Sequence, residues 1–128
     1  MTAPVPQQLD AFGDVELNGD GYGTVTLQPP SFQTWTVTSI NVATDQGPTE
    51  TPIPRCKVYR GSVGGQLIAQ TWMGNGSTAV GETFVQPSQP LVIEWTAGVP
   101  GSRATAWLDG TVIGNVYASR QMKQARLP

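Results

Sequence analysis

Histidine is absent from this 128-residue chain, and cysteine occurs only once, at Cys56. The first absence removes the commonest general base and the commonest metal ligand. The second excludes an internal disulfide, so packing and hydrogen bonding must hold the fold alone. Charge is scarce as well: Asp, Glu, Lys and Arg supply 12 % of the residues, about half the usual share of roughly 25 %. With a formal net charge of −2, the molecule as a whole is no electrostatic trap for nucleic acid or an anionic membrane. No apolar run approaches the roughly 18 residues of a membrane-spanning helix. Met1-Thr2-Ala3-Pro4-Val5-Pro6 also lacks the basic and apolar regions of a signal peptide, which predicts synthesis and folding in a cytoplasm.

In place of charge the chain carries 15 Gly and 11 Pro, together with much Thr and Gln. Frequent turns and a neutral polar surface suit short strands better than long helices, and the length allows one domain with one core. Residues 1 to about 13 read as an extended arm, since Pro4 and Pro6 deny it a helix. Alternation then begins at Gly21–Leu27, with Val25 and Leu27 on one face and Thr24 and Thr26 on the other, ended by Pro29-Pro30. In the longer strand from Phe32 to Val42, Trp35 and Val37 share one parity, while Ile40 and Val42 share the opposite one. For all four to face a core, a bulge must lie near Thr38 or Ser39.

Further strands are predicted at Arg55–Tyr59, Gln66–Met73, Thr83–Val85, Leu91–Thr96 and Arg103–Ile113. A loop spans Asp45–Pro54, Gly64-Gly65 is a turn, and Asn75-Gly76 is a hairpin signal. The expected fold is all-β: an antiparallel β-sandwich or jelly-roll-like barrel of seven or eight short strands, with an extended arm at each end. The domain occupies residues 14–113, between the arm at 1–13 and a basic arm at 114–128.

The two ends differ in charge. Residues 1–20 contain Asp10, Asp14, Glu16 and Asp20 and no cation, whereas residues 114–128 contain Arg120, Lys123 and Arg126 and no acid. Two solvated ends would account for this, and so would complementary arms that pair between neighbouring copies. A short helix over Val116–Ala125 is compatible with the sequence but marginal alone.

Chemical constellations are weak. Asp14-Val15-Glu16-Leu17-Asn18-Gly19-Asp20-Gly21 imitates the start of a calcium-binding EF-hand loop, but the twelfth position, where a bidentate Glu is required, holds Val25. A Gly/Asn/Asp turn into the first strand explains the segment better. Without His, a Ser or Cys nucleophile would need Lys57, Lys123 or a carboxylate as its base. Cys56 alternates with charged neighbours and reads as a small buried hydrophobe. Glu82, Glu94 and Asp109 are available for glycosidase-type chemistry, yet no spacing singles out a pair. The expectation is a non-enzyme with no metal and no cofactor.

Aromatic placement is more informative. Trp35 and Trp95 share parity with aliphatic residues and are assigned to the core; Trp72 fits either environment. Trp107 lies opposite Ala104, Ala106 and Leu108, so if the small residues face inward its ring marks a contact surface. Trp107, Arg120, Lys123 and Arg126 are the candidate partner-binding residues.

Several segments together resemble small virion proteins of tailed bacteriophages, in particular those infecting actinobacteria. They are Gly21-Tyr22-Gly23-Thr24-Val25-Thr26-Leu27-Gln28-Pro29-Pro30, Phe32-Gln33-Thr34-Trp35-Thr36-Val37-Thr38, Lys57-Val58-Tyr59-Arg60-Gly61, and Trp95 through Gly98 and Gly101 to Ala104-Thr105. The resemblance covers residues 21 to 110 and consists of strand and turn residues, without a chemical signature. It implies a non-enzymatic accessory protein of the virion, either decorating the capsid or belonging to the tail as a minor tail protein. Its implied partners are other copies of itself and other virion proteins, in a homo-oligomer or on a lattice, with no nucleic acid and no membrane. A carbohydrate-binding module on a particle or cell surface is the alternative.

Overall fold

The computed structural model describes residues 7–46, 54–71 and 76–114. Its strands are β1 (Gln7–Gln8), β2 (Ala11–Glu16), β3 (Gly23–Leu27), β4 (Gln33–Thr44), β5 (Arg55–Arg60), β6 (Gln66–Thr71), β7 (Gly76–Val85), β8 (Leu91–Thr96) and β9 (Arg103–Gly114). They form two antiparallel sheets. In the long sheet, β9 lies between β4 and the pair β1–β2, and β7 forms the far edge. The short sheet runs β3-β8-β5-β6. From β2 onward every connection passes from one sheet to the other except β5–β6, which stays within the short sheet. This order is that of a jelly roll, two Greek keys wrapped into a sandwich.

Alternation explains why the sheets pack. Leu91, Ile93 and Trp95 of β8, Val25 and Leu27 of β3, and Cys56 and Val58 of β5 turn inward. They meet Trp35, Val37, Ile40 and Val42 of β4, and Ala104, Ala106 and Leu108 of β9. Trp35 and Trp95 are buried as their parity requires. The parity change in β4 is resolved by a register shift between Val37 and Ser39 against both β9 and β7. Against β9 Thr38 is the extra residue, whereas against β7 the surplus is residues 80–82 of β7; Trp35 and Val37 on one side, and Ile40 and Val42 on the other, thus all reach the core.

Two expectations need correction. The boundary drawn for an N-terminal arm at residue 13 falls inside β2. Residues 7–13 pair with β9 in a single register, from Gln7 opposite Val112 to Gly13 opposite Ala106, and Leu9 is buried. The inward set is Leu9, Ala11, Gly13, Val15 and Leu17, a period of two disguised because two of its members are Ala and Gly. Second, the hairpin expected at Asn75-Gly76 does not join neighbours, because β6 and β7 belong to different sheets. Turn residues announce a reversal of direction but not the sheet to which the chain returns. Asn75 itself lies outside the described residues, as do Trp72 and the helix considered at 116–125.

The thiol of Cys56 is buried and unpaired in a disulfide. Burial first, and the nearby Glu94 charge second, push its pKa from the usual 9.0 up to about 12. Folding therefore retains a proton that the unfolded chain gives up. The thiol's contribution to stability is intact below about pH 9 and declines between about 9 and 12. A disulfide reagent at pH 8 should label Cys56 at least about 100-fold faster in urea than in the native state, because only the exposed thiolate reacts. Equal labelling in both states would contradict the burial.

Candidate functional site

The outer face of the long sheet brings together the features that point to recognition. Phe12 on β2 is directly opposite Trp107 on β9, and the two are 69 % and 41 % exposed. Both belong to the outward parity of strands whose inward parity is filled by Ala11, Gly13, Ala106 and Leu108. The row continues to Asn41 on β4 and Ser77 on β7. An aromatic pair of this size left in water is a candidate contact surface.

Polar groups beside the rings are held firmly. Asn41 is only 5 % exposed although it points outward, and its side chain is hydrogen-bonded throughout. Its Nδ2 donates to Asp109 Oδ2 at 2.8 Å and to the Trp107 carbonyl at 3.3 Å, and its Oδ1 accepts from the Ser77 hydroxyl. Ser39 Oγ donates to the same Asp109 oxygen at 2.9 Å. This chain of bonds locks β4 to β9 beside Trp107 and fixes a carboxylate at the edge of the aromatic patch. At the other end of the face, Arg103 Nη1 lies 3.1 Å from Asp14 Oδ2, next to Glu16. The Arg103 amide donates to Asp45 Oδ1.

A cleft of about 560 Å³ opens next to Phe12, where the step between β1 and β2 leaves Leu9, Leu27, Trp35 and Val112 reachable from outside. A second cleft of the same size lies at the opposite edge, between β6 and β7. There the Arg60 guanidinium donates to the Phe84 carbonyl and ties the two sheets together. Both clefts are open at the surface.

Trp107 stands where its parity placed it. Arg120, Lys123 and Arg126 lie outside the described residues. Tyr59 is on the outer face of the short sheet, opposite Val92 and Leu67, and so does not join Trp107. The three carboxylates considered for acid–base work are dispersed: Glu94 accepts from the Tyr22 hydroxyl on the short sheet, Glu82 lines the β6–β7 cleft, and Asp109 is beside Trp107. The calcium-like segment is a turn in which Asn18 Oδ1 accepts from the amides of Asp20 and Tyr22, while Asp14 faces Arg103. The residue that sequence reading missed is Phe12. Its signal is the period-two set from Leu9 to Leu17, which leaves Phe12 on the outward parity.

Such a face can bury rings, accept hydrogen bonds and attract cations. Compared with protein-family models and with curated proteins, the chain matches none.

Proposed function

We propose that this protein is a non-enzymatic structural component of a tailed-bacteriophage particle, an accessory jelly-roll domain that docks on neighbouring subunits. The observation that carries the reading is the exposed Phe12–Trp107 pair on a rigid, hydrogen-bonded sheet face. A domain of this size gains little from leaving two rings in water unless a partner covers them. The jelly-roll order and the resemblance of residues 21–110 to small virion proteins support the same assignment, whether on capsid or tail. The basic residues Arg120, Lys123 and Arg126 are proposed as additional contacts with other virion proteins.

A mass-spectrometric inventory of density-purified particles tests this, with capsid and tail fractions separated. The chain is expected in one fraction, at a copy number comparable to that of other structural proteins. Its absence from intact particles sinks the proposal. A carbohydrate-binding role is favoured by one feature, the exposed ring pair beside the fixed Asp109 carboxylate, since sugars stack on rings and donate to carboxylates. Retarded migration of the protein in gels containing a neutral polysaccharide, abolished by Trp107→Ala, would favour that role instead.

A further inference from the structure

Charge is segregated between the two sheets. The strands of the long sheet carry Asp14, Glu16, Glu82 and Asp109 against the single cation Arg103, with Asp10 added between β1 and β2. On the short sheet the outward parity carries Arg55 and Lys57 against the single acid Glu94, while Arg60 shares the inward parity of Cys56 and Val58 and reaches the Phe84 carbonyl. Each outer face also presents an apolar row. On the long sheet it is Phe12–Trp107; on the short sheet, registers align Tyr59 and Leu67 with the buried Val92 between Tyr59 and the polar Thr26. Leu67 is exposed there.

We propose that the long-sheet face of one copy docks on the short-sheet face of the next, so that copies associate face to back. The occupant of the aromatic face is thus a second copy of this chain. This rests on the docking role proposed above and names its partner. A symmetric contact of two long-sheet faces would set the carboxylates of both copies against one another, and two short-sheet faces would oppose their cations. Like-charge juxtaposition of that kind is strongly disfavoured, whereas face-to-back contact matches opposite signs around two apolar rows. Such a contact is heterologous. It leaves one face of each kind open at the ends and builds rings or stacks rather than a closed dimer.

The contact is small. Four strands about 4.8 Å apart and six residues long cover roughly 20 Å by 20 Å, which places it among the weaker interfaces. A single contact is therefore short-lived, and an array multiplies it through avidity.

Sedimentation velocity of the full chain over a concentration series provides the test. At low salt the average mass should rise steadily with concentration and pass beyond that of a dimer. At about 1 M salt, where the screening length is about 3 Å, the rise should be largely lost. Trp107→Ser disables the long-sheet face, and Lys57→Glu (opposite Glu94) or Leu67→Ser disables the short-sheet face; each variant alone should stay monomeric and still unfold in one cooperative transition. Mixing Trp107→Ser with Lys57→Glu should restore a one-to-one dimer that grows no further, since each variant keeps the face the other lacks. A wild-type chain that stops at a closed dimer, that is monomeric at every concentration, or whose variants associate normally overturns the inference. So does a mixture that fails to pair. A chain found in particles yet monomeric alone would sink only this inference and leave the virion assignment standing.

Discussion

Trp35→Ala and Trp95→Ala are each expected to lower the unfolding free energy by about 3–5 kcal/mol, the range for deleting a large buried aromatic. Trp107→Ala should change it by no more than about 1 kcal/mol, the worth of one cross-strand pair. The difference follows from position alone. Trp95 is 0 % exposed and sits between Gly23 and Cys56 in the middle of the short sheet. Its removal opens a cavity that rigid strands on both sides cannot close. Trp35 belongs to the same core cluster, on the opposite sheet. Trp107 lies on the outer face opposite Phe12 and Asn41, and water already covers much of its ring. Urea denaturation with unchanged slope and shifted midpoint measures all three. Comparable losses for Trp107 and Trp95 would mean that the outer face is structural, and the docking proposal would lose its main support.

What was legible in the sequence divides along a physical line. Residues whose inward partners are all large were read correctly: Leu91, Ile93 and Trp95 alternate without interruption, and β8 appears where expected. The bulge in β4 was legible too, because four large side chains with conflicting parity leave only one way to bury them all. β2 was hidden because its inward positions include Ala11 and Gly13, chosen for closeness rather than bulk. A Cβ at Gly13 would come within 2.6 Å of Val25 on the facing sheet, so the site tolerates only the residue that carries no pattern. With β2 hidden, Phe12 had no strand to be outward from, and half of the candidate site went unseen. The sheet to which each strand belongs was also beyond reach, since alternation reports an inward face and not its neighbours. Charge segregation between the sheets therefore became visible only once β4, β7 and β9 were assigned to one sheet and β5, β6 and β8 to the other.

Gly110→Ala is expected to be among the most damaging single substitutions in the chain, costing more than about 3 kcal/mol, a size reserved for specific structural conflicts. Gly110 sits opposite Val37 where the register between β4 and β9 shifts. Its φ of +155° is one that side-chain-bearing residues rarely adopt. A Cβ there would lie 2.0 Å from the Thr36 carbonyl oxygen and 3.0 Å from the Val37 Cα. Both are backbone atoms of the central ladder, so no side-chain rotation relieves the clash. The chain must instead move β4 away from β9, the pairing that also aligns Asn41 with Trp107. The control is Gly81→Ala on β7, at the same bulge. Gly81 has a φ of +66°, but a Cβ there meets nothing within 4 Å. Only the local cost of a left-handed residue applies, about 1–2 kcal/mol. The bulge explains why both glycines are needed. It returns Ile40 and Val42 to the core, and without it a one-residue slip would turn them outward and carry Trp107 out of line with Asn41. Urea midpoints of the two variants decide the matter. If Gly110→Ala proves as mild as Gly81→Ala, the close approach of β4 and β9 at this point is wrong, and the rigid frame assigned to the aromatic face goes with it.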